Sequence, residues 1–126
     1  MEMTKNSLAW FEIPVSDFER VKTFYSKIFD FEMASFQMGT NLMGFFPFDR
    51  QGGIGGAITH GEGYVPSQQG TLVYLSGGAD LIVAPDRVDD AGGTILLGKT
   101  PIGPELGYYA RFLDTEGNRL ALHSPA

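Results

Sequence analysis

The chain has 126 residues, of which 43% are hydrophobic and 19% are charged. This length and balance are typical of one globular domain, or of two small halves that share a core, and they argue against a disordered chain. The formal net charge of −6 argues against nucleic acid and anionic membranes as partners, because both bind basic surfaces. The absence of cysteine excludes disulfides, thiolate nucleophiles and zinc sites with sulfur ligands.

From its apolar pattern we expect the sequence to contain neither a secretory signal nor a membrane-spanning segment. Residues 1–10 lack the apolar segment of a secretory signal. No apolar run approaches the roughly 20 residues of a membrane-spanning helix. We therefore expect a cytoplasmic protein.

The first half of the chain predicts a strand, a helix and three further strands. Residues 8–15 are apolar and aromatic, which is typical of a strand. Ser16 and Glu19 then have the spacing of a capping box, in which each side chain accepts a hydrogen bond from the other residue's backbone at the start of a helix. Apolar residues recur at helical spacing at Phe18, Val21, Phe24, Tyr25, Ile28 and Phe29. Further strands are expected at residues 32–38, 42–48 and 52–59.

The second half repeats this order. Residues 71–76 predict a strand, and a less regular helix follows, with Asp80 as a candidate N-cap and Gly92-Gly93 as its end. Pro85 is compatible with this helix only in the first turn, because proline has no backbone N–H to donate. The remaining strands are expected at residues 94–100, 108–113 and 119–124.

Two similar turns indicate that the halves are related. Residues 49–52 (Asp-Arg-Gln-Gly) correspond to residues 114–117 (Asp-Thr-Glu-Gly). The aspartates of the two turns are 65 positions apart, and so are their glycines. Between the halves, residues 60–70 are rich in Gly, Pro, Ser and Gln, as in a linker. The sequence therefore predicts a single α+β domain with two βαβββ modules in tandem, at about residues 8–59 and 71–124.

Three segments together resemble a known family. They are FEIPVSDFERVKTFYSKIFDFE at residues 11–32, the Gly92-Gly93 pair, and DTEGNRLALHS at residues 114–124. Their order, with the internal repeat, resembles the vicinal-oxygen-chelate superfamily, which includes glyoxalase I, bleomycin-resistance proteins and extradiol dioxygenases. The resemblance implies curved sheets around a cavity shared by the two modules, and it implies a homodimer.

The resemblance also implies where a metal ion would bind. In metal-using relatives a divalent ion is held by His, Glu or Gln from the first and last strands of each module. The corresponding positions here are Trp10, Gly56, Thr71 (to within one or two residues) and Ala121. Because tryptophan only donates and neither glycine nor alanine has a side-chain lone pair, these residues do not form the usual site. We therefore predict no metal ligands and no cofactor.

Polar residues near these positions are the candidates for chemistry. By strand alternation, Glu12 shares a face with Trp10, and Arg119 and His123 share one with Ala121. Glu12 is a candidate general base, or else pairs with Arg111 or Arg119. His123 is a candidate for binding a ligand or shuttling protons, or else it caps a strand end or contacts a partner subunit.

The cavity lining and the catalytic residues follow from these assignments. The predicted lining residues are Trp10, Glu12, Thr71, Arg119, Ala121 and His123, and the candidate catalytic residues are Glu12 and His123. Trp10 either stacks on a flat ligand or belongs to the core, and Arg119 either holds an anion or forms a surface pair. In the linker, His60 is expected to be solvated and Tyr64 to act as a lid.

Three functions remain open from the sequence. The first is a protein with a degenerate metal site that binds a small molecule. The second is a metal-dependent lyase, isomerase or dioxygenase of the same superfamily with a non-standard ligand set, such as Glu12, His60 and His123, or a metal-free enzyme that uses Glu12. The third is a dimeric interaction module without a small ligand.

Overall fold

The computed structural model, which describes residues 2–126, contains two successive βαβββ modules. The first module consists of β1 (Phe11–Pro14), α1 (Phe18–Ile28), β2 (Ser35–Met38), β3 (Asn41–Phe45) and β4 (Gly56–His60). The second consists of β5 (Val73–Ser76), α2 (Val83–Val88), β6 (Thr94–Gly103), β7 (Gly107–Leu113) and β8 (Arg119–Ser124). The predicted α+β fold class is therefore confirmed. Neither helix within residues 2–126 is long and apolar enough to cross a bilayer.

Each module forms its own four-stranded sheet with the same topology. The strand orders are β1-β4-β3-β2 and β5-β8-β7-β6. In each sheet the first strand of the module pairs in parallel with the last one, and the other pairs are antiparallel. The helix that follows each first strand makes this parallel return possible, because parallel neighbours need a crossover connection.

Helix α1 forms where its apolar spacing predicts, but its cap is Asp17. The Asp17 Oδ1 atom accepts a hydrogen bond from the Arg20 N–H at 3.3 Å, so the predicted capping box of Ser16 and Glu19 is wrong. The backbone N–H of Ser16 instead donates to Glu116 in the second module. The five apolar residues of the predicted stripe that lie within the helix are all buried.

Helix α2 is short and has no side-chain cap. It begins after Ile82, and Asp80 accepts a hydrogen bond from the Ile82 N–H at 3.1 Å ahead of the helix. Asp80 is therefore not the N-cap that the sequence suggests. Pro85 is the third helical residue and lies in the first turn, where it costs no hydrogen bond.

A single hydrophobic core joins the two modules. Apolar side chains from both helices and from one face of each sheet form one buried cluster, with Phe24 and Tyr25 of α1 among its largest members. Phe24 reaches across to Phe112 of β7, with ring centroids 6.0 Å apart. Gly93 permits this approach, since a Cβ atom there would lie 2.6 Å from the Phe24 ring.

The other face of each sheet is directed away from this core. Alternation along the strands places one set of side chains on the first sheet, which we call the first open face: Trp10, Glu12, Phe36, Met43, Phe45, Ala57 and Thr59. It places another set on the second sheet, which we call the second open face: Tyr74, Ser76, Tyr109, Arg111, Arg119, Ala121 and His123. Met43, Ala57 and Ala121 are buried but do not belong to the core cluster.

The turn between β7 and β8 docks the second module onto the first. Glu116 accepts hydrogen bonds from the N–H groups of Ser16 and Asp17, at 2.6 and 3.1 Å, and from the Arg20 guanidinium at 2.7 Å. Asn118 donates to the Pro14 carbonyl at 2.7 Å. These bonds satisfy backbone groups at the start of α1 that would otherwise lack partners.

A buried carboxylate supports the same turn from inside. Asp114 accepts hydrogen bonds from the N–H groups of Glu116 and Asn118 and from the Tyr25 hydroxyl. Burial raises the pKa of Asp114, and these hydrogen bonds oppose that shift only in part. Burial, with Asp114 nearby, also raises the pKa of Tyr25 well above its usual value.

The substitution Glu116→Gln is expected to lower the free energy of unfolding at pH 7 by about 1–3 kcal/mol, because it weakens charge-assisted hydrogen bonds at the module contact. Burial opposes ionisation of Glu116, but its backbone and Arg20 hydrogen bonds outweigh that effect and lower the pKa. A lowered carboxyl pKa stabilises the fold above the ordinary value of 4.5, and that contribution is lost as the pH falls through the folded pKa. Urea titrations at several pH values measure this.

The matched control is Glu19→Gln, which removes an exposed carboxylate from the first turn of α1, the helix whose start Glu116 contacts. The difference between wild type and Glu116→Gln should shrink below pH 4.5, while Glu19→Gln stays near wild type throughout. Asp114 is present in all three proteins, so its opposite effect cancels in the comparison. Equal stability of Glu116→Gln and Glu19→Gln at pH 7 would contradict the docking role.

Candidate functional site

The first open face is centred on Ala57. Glu12 of β1 is its register partner on one side, and Phe45 of β3 is its partner on the other. Ala57 is fully buried, and its methyl group leaves the centre of the face without any hydrogen-bonding side chain. Ala57 therefore lies at the centre of the first open face, but its side chain cannot coordinate a metal ion.

Aromatic rings surround this centre. The Trp10 ring lies 5.6 Å from that of Phe45 and 6.1 Å from that of Phe48, measured between centroids and in edge-to-face geometry. Phe36 stacks on Phe45 at 5.0 Å. Trp10 is 38% exposed and Phe36 is 45% exposed, so the core interpretation of Trp10 is wrong. These rings offer a flat apolar surface to a ligand or a partner.

Glu12 is the carboxylate on the first open face. Its Oε1 atom accepts a hydrogen bond of 2.6 Å from the Tyr64 hydroxyl. This hydrogen bond is the main reason why the pKa of Tyr64 is raised. Within residues 2–126 Glu12 forms no ion pair with Arg111 or Arg119, so the predicted structural pair is not formed. Tyr64 instead brings the linker to the edge of this face.

The predicted ligand position Gly56 is wrong by one residue. A Cβ atom built on Gly56 would lie 2.3 Å from the Phe11 ring, on the helix side of the sheet. The reason is the preceding turn: Gly53 donates to the Asp49 carbonyl, whereas Gly117 donates to the Asp114 carbonyl. The first turn is thus one residue longer, and Ala57 is the true counterpart of Ala121.

The second open face has the same plan with different chemistry. Ala121 is its centre, with Tyr74 as the register partner on β5 and Arg111 on β7. One step along the strands, His123 pairs with Ser76 and Tyr109. Two tyrosines, an arginine and a histidine therefore surround the second alanine.

These residues line an open groove of about 950 Å³. His123 lines it with Tyr74, Tyr109 and Arg111. The His123 Nε2 atom lies 2.9 Å from the Leu106 carbonyl oxygen, and since a carbonyl only accepts, Nε2 carries a proton and donates it. That bond fixes the ring at the end of β8.

Two of the predicted lining residues lie elsewhere. Thr71 precedes β5 and lines a cavity of about 160 Å³ together with Glu12 and Arg119. Counting along β5, Leu72 is the counterpart of Trp10, which agrees with the expected uncertainty. Arg119 belongs to the second open face by alternation, but it lies at the seam between the modules and not in the groove around His123.

His60 ends β4 and is not a linker residue. Its Nδ1 atom lies 3.2 Å from the Val15 carbonyl oxygen, and it lines a surface hollow with Ser16 and Glu116 on the helix side. Glu12 lies on the opposite face of the sheet. The structure therefore does not bring His60 together with Glu12 or His123 in one chain.

The donor set does not fit the divalent ion of metal-using relatives. Trp10, Ala57, Leu72 and Ala121 occupy the four strand positions, and none has a side-chain atom with a lone pair for a metal. No group of three or more His, Asp and Glu side chains converges within the described chain. No step through a metal ion follows from these residues.

Sequence reasoning missed Tyr74 and Tyr109 and assigned Arg111 only as a partner of Glu12. They became site residues because β5 and β7 flank Ala121 in register. Alternation in the sequence indicates on which face of its strand each residue lies, but it does not indicate which strands are neighbours. The grouping of these three residues around Ala121 therefore could not be predicted.

Comparison with known proteins identifies the family. The sequence model of the Glyoxalase/Bleomycin resistance protein/Dioxygenase superfamily matches residues 7–122. The chain belongs to this superfamily. Among curated proteins, none matches the sequence.

Solved structures share the fold at low sequence identity. A glyoxalase I mutant from Zea mays is 20% identical, with a TM-score of 0.68 over 94% of this chain and 46% of the maize chain, so this chain spans about half of that enzyme's length. A glyoxalase/bleomycin resistance protein from Streptomyces sp. CB03234 is 22% identical, with a TM-score of 0.68 over 94% of this chain and all of the other. TnmS3, an antibiotic binding protein from the same organism, is 21% identical, with a TM-score of 0.59 over 99% of this chain and all of the other.

The substitution Glu12→Gln is expected to lower the pKa of Tyr64 toward its ordinary value of 10.0. The physical reason is that the amide accepts the phenol hydrogen bond less strongly than the carboxylate and carries no charge to oppose phenolate formation. NMR titration of ¹³C-labelled tyrosine side chains measures the change residue by residue. Glu19→Gln is the control, and an unchanged Tyr64 titration in Glu12→Gln would rule out the contact.

Proposed function

We propose that this protein binds a small organic molecule on its open faces without the divalent metal ion of the superfamily's enzymes. Supporting this, alanine occupies the central position of both sheets, at residues 57 and 121. A side chain that coordinates a metal ion would have to lie at these positions. Aromatic and polar side chains remain around each alanine. A binding surface is thus retained where metal coordination is not.

The binding cavity is completed by a second copy of the chain. In one chain, large apolar side chains on both open faces contact solvent, Trp10 and Tyr74 among them. Contiguous exposed apolar surface of this kind marks an interaction site. Sedimentation equilibrium is expected to give twice the mass of one chain, and a monomer at micromolar concentration would contradict this part of the proposal.

An enzyme with metal-free acid–base chemistry is the second candidate. The observation that favours it is the 2.6 Å hydrogen bond from the Tyr64 hydroxyl to Glu12, since such a pair can take and return a proton near a bound substrate. This candidate predicts turnover that Glu12→Ala abolishes while ligand binding persists. The binding proposal predicts that no such turnover exists.

Metal content is the first test of the binding proposal. Protein purified without chelator is expected to hold far less than one equivalent of nickel, zinc or iron, and calorimetric titration with each ion should show no tight site, because the strand positions lack donor atoms. The measurements are elemental analysis and isothermal titration calorimetry. One tightly bound ion per chain would contradict the proposal and favour a metal-dependent enzyme with a non-standard ligand set.

Ligand binding is the second half of the same test. A thermal-shift screen of small organic molecules in chelator is expected to find compounds that raise the melting temperature, because a ligand of the native state stabilises it. Truncating an exposed ring on each face, as in Trp10→Ala or Tyr74→Ala, should weaken the shift by removing surface that the ligand contacts. A complete absence of binders would favour an interaction module over a small-molecule site.

A further inference from the structure

The second open face carries a cation without a counter-ion. Within residues 2–126 the Arg111 guanidinium forms no ion pair, and its Nε atom is buried without a hydrogen-bond partner. The guanidinium contacts Tyr109, whose hydroxyl lies 3.5 Å from Nη2 and whose ring centroid lies 5.5 Å from Cζ. A buried donor without an acceptor costs free energy unless a ligand or water satisfies it.

The groove beside Arg111 has no negative charge of its own. Among the described residues that line it there is neither Asp nor Glu, although the whole chain has a net charge of −6. The local chemistry of this groove is therefore opposite in sign to the protein as a whole. An anion entering it would meet the guanidinium without competition from a lining carboxylate.

His123 adds a second polar group to the same groove. Because its Nε2–H donates to the Leu106 carbonyl at 2.9 Å, the remaining ring nitrogen, Nδ1, is the one left for a ligand. Nδ1 has no hydrogen-bond partner in the part of the chain that the structure describes.

The aromatic walls of the groove suit a flat ligand. The rings of Tyr74 and Tyr109 are 6.3 Å apart between centroids and tilted by 45°. Ala121, on the strand between those that carry them, is fully buried, so these two rings and not the alanine face the groove. An aromatic ring placed there would pack against the tyrosines while its acidic group reached Arg111.

We propose that this groove recognises the carboxylate of a small aromatic acid. Arg111 donates two parallel N–H groups to the carboxylate oxygens, and Tyr74 and Tyr109 contact the ring. The single negative charge of a carboxylate is balanced by the single positive charge of the guanidinium. A phosphate dianion would bring a second negative charge into the groove without a partner. The inference rests on the proposed small-molecule binding and specifies the class of molecule.

The test is a series of ligands that share one ring and differ in charge: benzoate, benzyl alcohol, benzylamine and phenyl phosphate. ¹H–¹⁵N spectra follow the Arg Nε–H groups and the Ala121 amide during each titration. Benzoate is expected to bind about tenfold or more tightly than benzylamine, the difference that a charge-assisted hydrogen bond makes. Phenyl phosphate is expected to bind no more tightly than benzoate.

The variant Arg111→Gln should reduce benzoate affinity about tenfold, because it removes the guanidinium fork. Arg50→Gln is the matched control, since Arg50 is also an arginine beside an aromatic ring, that of Phe48, but lies in the exposed turn of the first module. It should leave benzoate binding unchanged. If Arg111→Gln does not fold, Arg111→Lys takes its place, with weaker benzoate binding expected because lysine cannot bind a carboxylate in a bidentate way.

The outcomes separate this inference from the broader proposal. Benzylamine or benzyl alcohol binding at Ala121 as tightly as benzoate would overturn the anion inference and leave small-molecule binding intact. Tighter binding of phenyl phosphate would overturn the assignment to a carboxylate. If no compound in the series or in the wider thermal-shift screen bound to either open face, both the inference and the proposed function would fail.

Discussion

The parallel pairing of the first and last strands in each module determines which residues lie together on each open face. It places Ala57 between Glu12 and Phe45, and Ala121 between Tyr74 and Arg111. Side chains alternate strictly along a strand, so a shift of one residue would exchange the core face and the open face. The core of large apolar side chains fixes this register, because only one parity buries them.

The two modules have the same backbone plan and divergent surfaces. The first open face combines exposed aromatic rings with one carboxylate, which is already hydrogen-bonded to Tyr64. The second combines two tyrosines with a histidine and an arginine that lacks a counter-ion. A duplicated scaffold with alanine at both centres thus presents one face that is mainly aromatic and one that carries an unpaired arginine.

The contact between the modules depends on groups that are partly or fully removed from water. Glu116 binds the first backbone N–H groups of the α1 region, and Asn118 bonds to the end of β1. These bonds connect the turn that leads into β8 with the strand that carries Glu12. The position of each open face relative to the core therefore depends on the β7–β8 turn as well as on apolar packing.

The sequence was sufficient for the fold and insufficient for the details of the site. Hydrophobic periodicity and the paired turns predicted helix α1 and the order of helices and strands along the chain, because both are local signals that repeat. The assignment to Gly56 failed because the first turn closes with a bond one residue longer than the second. The cap of α1 was misplaced because Glu116, distant in sequence, satisfies the Ser16 N–H.

The grouping of Tyr74, Arg111 and His123 was beyond sequence reasoning for a related cause. Neighbouring strands are chosen by tertiary structure, and a pattern of alternation along one strand does not reveal its partners. The inability of Ala121 to coordinate a metal ion, in contrast, could be predicted. The sequence itself shows on which face of its strand Ala121 lies and that its side chain has no lone pair to donate.

We propose that the side chains around Ala57 and Ala121 contact an organic ligand and that no metal ion binds beside either alanine. A titration of the protein with Mn²⁺, followed through the methyl resonances of Ala57 and Ala121, tests this, because a bound paramagnetic ion broadens nearby signals. Both resonances are expected to stay sharp at stoichiometric Mn²⁺ and to shift when an organic ligand binds. Selective broadening of either alanine signal at one equivalent of the ion would contradict the proposal.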